Sequence, residues 1–319
     1  MSHIWVPRVK ILEATVDARV KIKGRYRIEV IRPDGSVRLD TGWFDNLITN
    51  GGLDQYYGLS GMSHCYVGSG NTTPAFTDTQ LVSLVGTNTT TGSTTQANSG
   101  ASPYTGTTTL QYIFAAGSAT GNLSEIGLGA TATTLFSRAL IVDNVGTPTT
   151  ITILSNEQLN VTYQLGTIVP LTDVTGNITI TGIGTVSTTV RAANATATTL
   201  WAALPNDIPT TPGIGGPNNT NTTSVFNAGI GAITSQPAGG LNGCDSGSHV
   251  TYVPGSFQSL VTCTYGLSAG NISGGINSAT FAFGNSSVSR GQFQVGFGTN
   301  IPKDSSHVLS LNYALSWTR

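Results

Sequence analysis

Apolar and polar residues alternate with a period of two along much of the chain, which is the pattern of half-buried strands. Residues 4–23 alternate loosely, with Val9, Ile11, Ala14, Val16, Ala18, Val20 and Ile22 on one side, and predict one or two strands. The next unit is sharper. Tyr26, Ile28 and Val30 alternate with Arg25, Arg27 and Glu29, Pro33-Asp34-Gly35 forms a turn, and Val37 and Leu39 begin the return strand. The hairpin should turn one apolar face to the core and one charged face to solvent or to another copy.

Residues 41–54 divide two styles of sequence: short charged strands before them, and a long uncharged chain rich in Thr, Gly, Ser and Asn after them. Trp43, Phe44, Leu47 and Ile48 have spacings that suit the start of a short helix, which Asn50-Gly51-Gly52 should break or cap. Leu53, Tyr56, Tyr57 and Leu59 add a second apolar set. Together they predict a buried helical plug over one end of a sheet.

Downstream, His64-Cys65-Tyr66-Val67-Gly68 reads as a buried strand, and further strands are expected at 110–114, 123–128, 134–142, 151–154 and 159–165. Residues 86–106 are almost entirely Thr, Ser, Asn, Gly and Ala, a composition that is flexible in isolation. Order in such a segment would point to neighbouring chains that hold it. Beyond 173 the same texture continues, with strands expected at 178–183, 186–190, 250–253, 260–265 and 281–283, a short helix at 199–203 and a surface loop at 205–221. The chain closes on strands at 293–297 and 308–317; the latter shares its alternation with 159–165, which hints at an insertion or a divergent copy between them. The fold class expected is all-β, an antiparallel β-sandwich or barrel with one short helix after the N-terminal hairpin and a second β-rich block. Its parts are 1–60 (hairpin and plug, a particle anchor), 61–172 (first β block), 173–290 (second β block) and 291–319 (strands returning to the core).

Composition changes the picture from fold to habit. Only 9% of the 319 residues are charged while 38% are hydrophobic, against about 25% charged in an average soluble domain. Hydroxyls and amides have replaced charge, which favours packing against neighbours, as in shells, fibres and adhesins. The net charge of -1 argues against nucleic acid as a partner. Of the 14 basic residues, nine precede Trp43, interleaved with Glu13, Asp17, Glu29, Asp34 and Asp40; alternating signs predict salt-bridged strand faces or an inter-subunit contact. Cys244 and Cys263 could clip a loop, but three cysteines and no apolar leader fit a reducing compartment better. No apolar run is long enough to span a membrane.

Trp43-Phe44-Asp45-Asn46-Leu47-Ile48-Thr49-Asn50-Gly51-Gly52-Leu53, with Tyr66-Val67-Gly68-Ser69-Gly70-Asn71-Thr72-Thr73-Pro74 and Leu135-Phe136-Ser137-Arg138-Ala139-Leu140, resembles virion proteins of tailed bacteriophages. Ile301-Pro302-Lys303-Asp304 with Ser316-Trp317-Thr318-Arg319 resembles the carboxyl end of tail-fibre and tail-appendage subunits. The likeness covers roughly 25–165 and the last thirty residues. It implies a structural virion protein, made in the host cytoplasm, homo-oligomeric (a trimer), bound to other tail or virion proteins, and contributing to host adsorption.

Candidate chemistry is sparse. Glu125, Asp143, Glu157, Asp173, Asp207 and Asp245 show no pairing in sequence of the kind glycoside hydrolysis needs. Cys244, Asp245, His249 and Cys263 match no common zinc spacing, and Ser246 or Ser256 near His249 lacks a nucleophile-elbow context. No catalytic residue, cofactor or metal is therefore assigned. Arg25, Arg27, Glu29, Trp43 and Phe44 are the assembly candidates, and Trp201, Phe226, Tyr252 and Tyr265 are candidates for recognising a host cell-surface glycan. A capsid decoration or head-fibre protein is the alternative location; a glycan-binding module or depolymerase is the alternative class.

Overall fold

A computed structural model of the chain describes residues 10–56, 62–89, 91–202, 223–239, 241–282 and 292–319. The longest element comes first. In β1 (Lys10–Ile31) outward and inward positions alternate without a break from Glu13 to Ile31, burying Ala14, Val16, Ala18, Val20, Ile22, Tyr26, Ile28 and Val30. The chain turns at Pro33-Asp34-Gly35, closed by Gly35 N–H to the Arg32 carbonyl and Arg32 N–H to the Ser36 carbonyl, both 2.9 Å, and returns as β2 (Val37–Asp45).

After β2 come β3 (Leu47–Ile48), α1 (Asn50–Tyr56), β4 (His64–Gly68), β5 (Leu84–Asn88), β6 (Thr91–Asn98), β7 (Thr105–Phe114), β8 (Gly121–Leu123), β9 (Glu125–Thr131), β10 (Thr134–Leu140), β11 (Ile151–Ile153) and β12 (Gln158–Ile168). The rest of the chain forms β13 (Val174–Ile180), β14 (Gly184–Ala192), α2 (Thr198–Trp201), β15 (Ser224–Phe226), β16 (Leu241–Gly243), β17 (Ser246–His249), β18 (Gln258–Tyr265), β19 (Ile276–Phe281), β20 (Phe293–Ile301) and β21 (His307–Thr318).

The fold is all-β and sandwich-like, and among the described residues no sheet closes into a barrel. An eight-stranded sheet runs β17-β18-β21-β1-β12-β7-β6, with β2 also on β1; a five-stranded sheet runs β3-β10-β9-β4-β5; a six-stranded sheet runs β13-β14-β20-β19-β15-β16; β11 and β8 form a small pair. One pairing departs from the antiparallel expectation: β1 and β21 run parallel, from Lys10 beside His307 to Lys21 beside Thr318. The two strands of like texture, β12 and β21, flank β1 on its two sides. One apolar cluster joins residues from all three large sheets, including Tyr26, Phe136, Tyr163, Trp201, Phe281 and Trp317.

The helix near the hairpin exists, but not where its apolar spacing placed it. Trp43 and Phe44 belong to β2 and point to opposite sides, Trp43 37% exposed and Phe44 buried. The helix begins at the Asn50-Gly51-Gly52 run that was expected to end one. Thr49 caps it, its hydroxyl oxygen accepting the Gly52 N–H at 2.8 Å. Glycine is required there because α1 lies directly on β10: a Cβ on Gly52 would sit 1.9 Å from the Phe136 carbonyl oxygen. Gly52→Ala is accordingly expected to cost about 1–3 kcal/mol by overpacking, read as a lowered urea midpoint. Gly51→Ala, whose nearest neighbour would be 3.4 Å away, should have a much smaller effect, and equal effects would remove this explanation.

Two further expectations change. Within 86–106 the chain itself supplies order: β6 is laddered to β7, so neighbouring chains are not needed to explain it. The strand expected at 250–253 lies instead at β17, and β15 and β16 arise in segments too short to show a period. Tyr57, Leu59, Ala203, Phe283 and the 205–221 loop lie outside the described residues.

The charged face of the central strand

Because β1 alternates strictly, its charged residues share one side. That side carries Glu13, Thr15, Asp17, Arg19, Lys21, Lys23, Arg25, Arg27 and Glu29 in order. Along it, five consecutive basic positions stand between Asp17 and Glu29. The salt-bridged face expected from sequence occurs at one end only. Arg27 grips Asp40 with Nε at 2.9 Å and Nη2 at 2.6 Å and lies 3.1 Å from Glu29. The Arg27 hydrogen bond holds the Asp40 carboxyl below its ordinary range.

Arg25 donates Nε–H to the Gln164 side chain at 2.8 Å and its guanidinium lies 4.6 Å over the Trp43 ring; neither contact neutralises it. Lys23, Arg25, Asp45, Thr105, Thr107 and Gln164 line a pocket of about 210 Å³. A second pocket of about 210 Å³ lies farther along the row, beside Asp17, Arg19, Asn177 and Thr188. Where β1 changes neighbour from β21 to β2, at residues 22–24, an apolar notch of about 470 Å³ opens between Ile22, Leu47, Ile48, Phe76 and Arg319. Arg319 covers Phe76 at 3.7 Å and donates to the Asn50 side chain at 2.9 Å. This face offers cations, hydroxyls and amides. It can hold anions and sugar-like polar groups.

The sequence-predicted recognition residues are elsewhere. Trp201, Phe226 and Tyr265 are core side chains, 0%, 2% and 0% exposed, and present no surface to a glycan. Trp201 donates its indole N–H to the Ala193 carbonyl at 3.2 Å. Tyr252 is half-buried, stacked on Trp317 at 5.9 Å, and its hydroxyl donates to Asp54 at 2.6 Å. Of the assembly candidates, Arg25, Arg27, Glu29 and Trp43 gather on the charged face, while Phe44 lies behind it, tilted against Tyr26 at 5.9 Å.

The acids beyond the hairpin are engaged within the chain. Glu125 pairs with Arg138 at 2.8 Å, Glu157 with Arg38 at 2.5 Å and Asp173 with Arg191 at 2.6 Å; Asp143 closes its own turn through Val145 and Thr147 N–H groups, and Asp245 accepts from Gly266 N–H. Asp207 lies outside the described residues. Among the described residues no group of three His, Cys, Asp or Glu side chains could hold a metal.

Cys244 and Cys263 do approach each other, Sγ to Sγ at 3.0 Å, both as thiols. The hydrogen bond donated by Cys263 holds the Cys244 thiol below its usual range; the same bond and burial push Cys263 up, and burial alone pushes up Cys65. Cys244, the partly exposed member of the pair, is the sulfur that a dissolved oxidant reaches. Under oxidised glutathione, which takes up the two electrons, these two thiols are expected to close a disulfide and Cys65 to stay reduced. Thiol titration and intact mass would read one remaining thiol; three remaining thiols would sink the pairing.

No protein-family model, no curated protein and no solved structure matches the chain.

Proposed function

We propose that the chain is a structural subunit of a tailed-bacteriophage particle, a fibre or appendage component that works as an oligomer. The observation carrying this reading is the open edge of the five-stranded sheet. Among the described strands β5 has β4 on one side and ends the sheet, yet it carries Leu84 and Val85 exposed, with Val82 exposed just before it. A free strand edge with apolar side chains is a pairing hazard unless another chain covers it. The low charge of the chain, 9%, adds little repulsion between copies. The virion resemblance of the segments around Trp43, Tyr66 and Phe136 supplies the setting.

Sedimentation of the purified chain tests assembly. A stable oligomer that Leu84→Lys converts to monomer is expected, and a monodisperse wild-type monomer would defeat the reading. Immunogold electron microscopy of particles tests location. Label at the tail or its fibres supports the appendage assignment, label over the head moves the subunit to capsid decoration, and unlabelled particles remove it from the virion.

A further inference from the structure

We infer that the exposed face of β1 binds an anionic polysaccharide, gripping an acidic stretch about 20 Å long. The inference deepens the adsorption role proposed above, but its chemistry is read from this face alone. Arg19, Lys21, Lys23 and Arg25 occupy successive outward positions on one strand, so their Cα atoms lie roughly 7 Å apart over three steps. Among the described residues none of the four has an ion-pair partner.

That is a contrast within the molecule. Arg27, Arg38, Arg138 and Arg191 are paired with carboxylates, and Lys303 is buried against the Gly266 and Asp304 carbonyls and the Asn271 side chain. In a chain with 14 basic residues in 319, four of the described ones without an ion pair thus stand in a row, while Arg32 and Arg319 lie off it, engaged with Ser36 and Asn50. Like charges held side by side repel one another, and an external anion relieves that repulsion.

The occupant follows from what surrounds the row. A second copy does not fit: face-to-face contact would oppose cations, the acids of β1 itself (Glu13, Asp17 and Glu29) lie outside the basic row, and among the other described strands none carries three acids on one face. Nucleic acid fits poorly, because single strands are held by aromatic platforms under the bases. The exposed Trp and Phe among the described residues are Trp43 and Phe76, and each already has a guanidinium over its ring. The row is also closed by Asp17 at one end and by the Arg27–Asp40–Glu29 group at the other, so a long phosphate backbone would run onto carboxylates. Acidic sugars separated by neutral ones meet both conditions. Ser316 and Thr318 are registered beside Arg19 and Lys21, and Thr105, Thr107, Gln164 and the Asp45 carboxylate line the pocket at Lys23 and Arg25; the hydroxyls and amide suit neutral rings, and Asp45 can accept from sugar hydroxyls but repels an acidic group, so the acids must be spaced.

The test uses the full chain in solution with fluorescein-labelled hyaluronan oligosaccharides, in which an acidic sugar alternates with a neutral one, as probe, read by anisotropy, and neutral dextran and oligo-dT as comparisons. The hyaluronan oligosaccharides should bind, weaken about tenfold or more as NaCl rises from about 50 to about 500 mM, and lose at least about tenfold in K21Q/K23Q/R25Q. Arg32→Gln, off the row at the hairpin turn, should leave binding unchanged, and a shared urea midpoint would show that the triple variant remains folded. No binding, equal binding by the triple variant, equal binding of dextran, or tighter binding of oligo-dT would each overturn the inference. The assay needs no particle, so its failure leaves the virion placement standing, and an unlabelled particle leaves the binding result standing.

Discussion

Arg138→Met is expected to destabilise the protein by about 3–5 kcal/mol, because it strands a buried carboxylate. Glu125 in β9 is 0% exposed and Arg138 in β10 is 1% exposed. Their contact is double, Nε at 3.0 Å and Nη2 at 2.8 Å to one carboxylate oxygen. Glu125 also collects the N–H groups of Gly70 at 3.0 Å, Ser83 at 2.8 Å and Val82 at 3.2 Å. Arg138 reaches Asp78 at 2.7 Å and the Thr72 carbonyl at 3.0 Å. One ion pair therefore pins both ends of the 69–83 loop to the sheet. Urea unfolding reads the loss, and limited proteolysis within 69–83 should accelerate with it. Glu125→Gln/Arg138→Met should recover part of the stability, since no fully buried charge is left unpaired; Asp78, which also loses Arg138, is partly exposed. A single variant as stable as the wild type would show that the pair does not hold the loop.

Trp317→Ala should be comparably severe, about 3–5 kcal/mol for a buried tryptophan. The ring, 0% exposed near the end of β21, packs against Tyr56 of α1 at 5.6 Å and Tyr252 at 5.9 Å. Its indole N–H donates to the Leu53 carbonyl at 2.8 Å, while Asp54 on the same helix accepts from Tyr252 and the Gly255 N–H, both at 2.6 Å. Trp317→Phe separates the two parts: it keeps much of the ring and loses the donor, for about 1–3 kcal/mol. If the two variants unfold alike in urea, packing around the ring contributes little and this account of the junction fails.

Strands were legible wherever one face is buried, because period-two alternation is a local property. β1, β7, β12 and β21 fall where Tyr26–Val30, Leu110–Phe114, Leu159–Leu165 and Leu309–Leu315 place them. What joins to what was not legible. Nothing local says that Val16 will lie beside Tyr313, and the apolar spacing of Trp43, Phe44, Leu47 and Ile48 serves two strands as well as a helix. Thr49 caps α1, and of the two glycines after it Gly52 serves close contact with Phe136.

The misplaced aromatics share one cause. Tyr265 lies among Thr and Ser, which suggested a surface, yet Val261, Cys263 and Tyr265 keep step on the buried side of β18. The basic row could likewise have been found by reading every second residue from Arg19 to Arg27. Treating residues 8–40 as one stretch of alternating signs, with the charges of the hairpin included, hid it.

The parallel seam between β1 and β21 has a temporal side. Glu13 and its partner Asn312 are 299 positions apart, which at about 5–20 residues per second is on the order of 15 to 60 s of translation. For that interval the amino-terminal half of the central strand has been made while its neighbour has not. Its final register must wait for the other end of the chain to leave the ribosome, so the whole molecule, and not a growing fragment, is the unit that ripens; until then a long alternating ribbon is open to any passing strand, and a holdase on the nascent chain is the natural guardian of its yield.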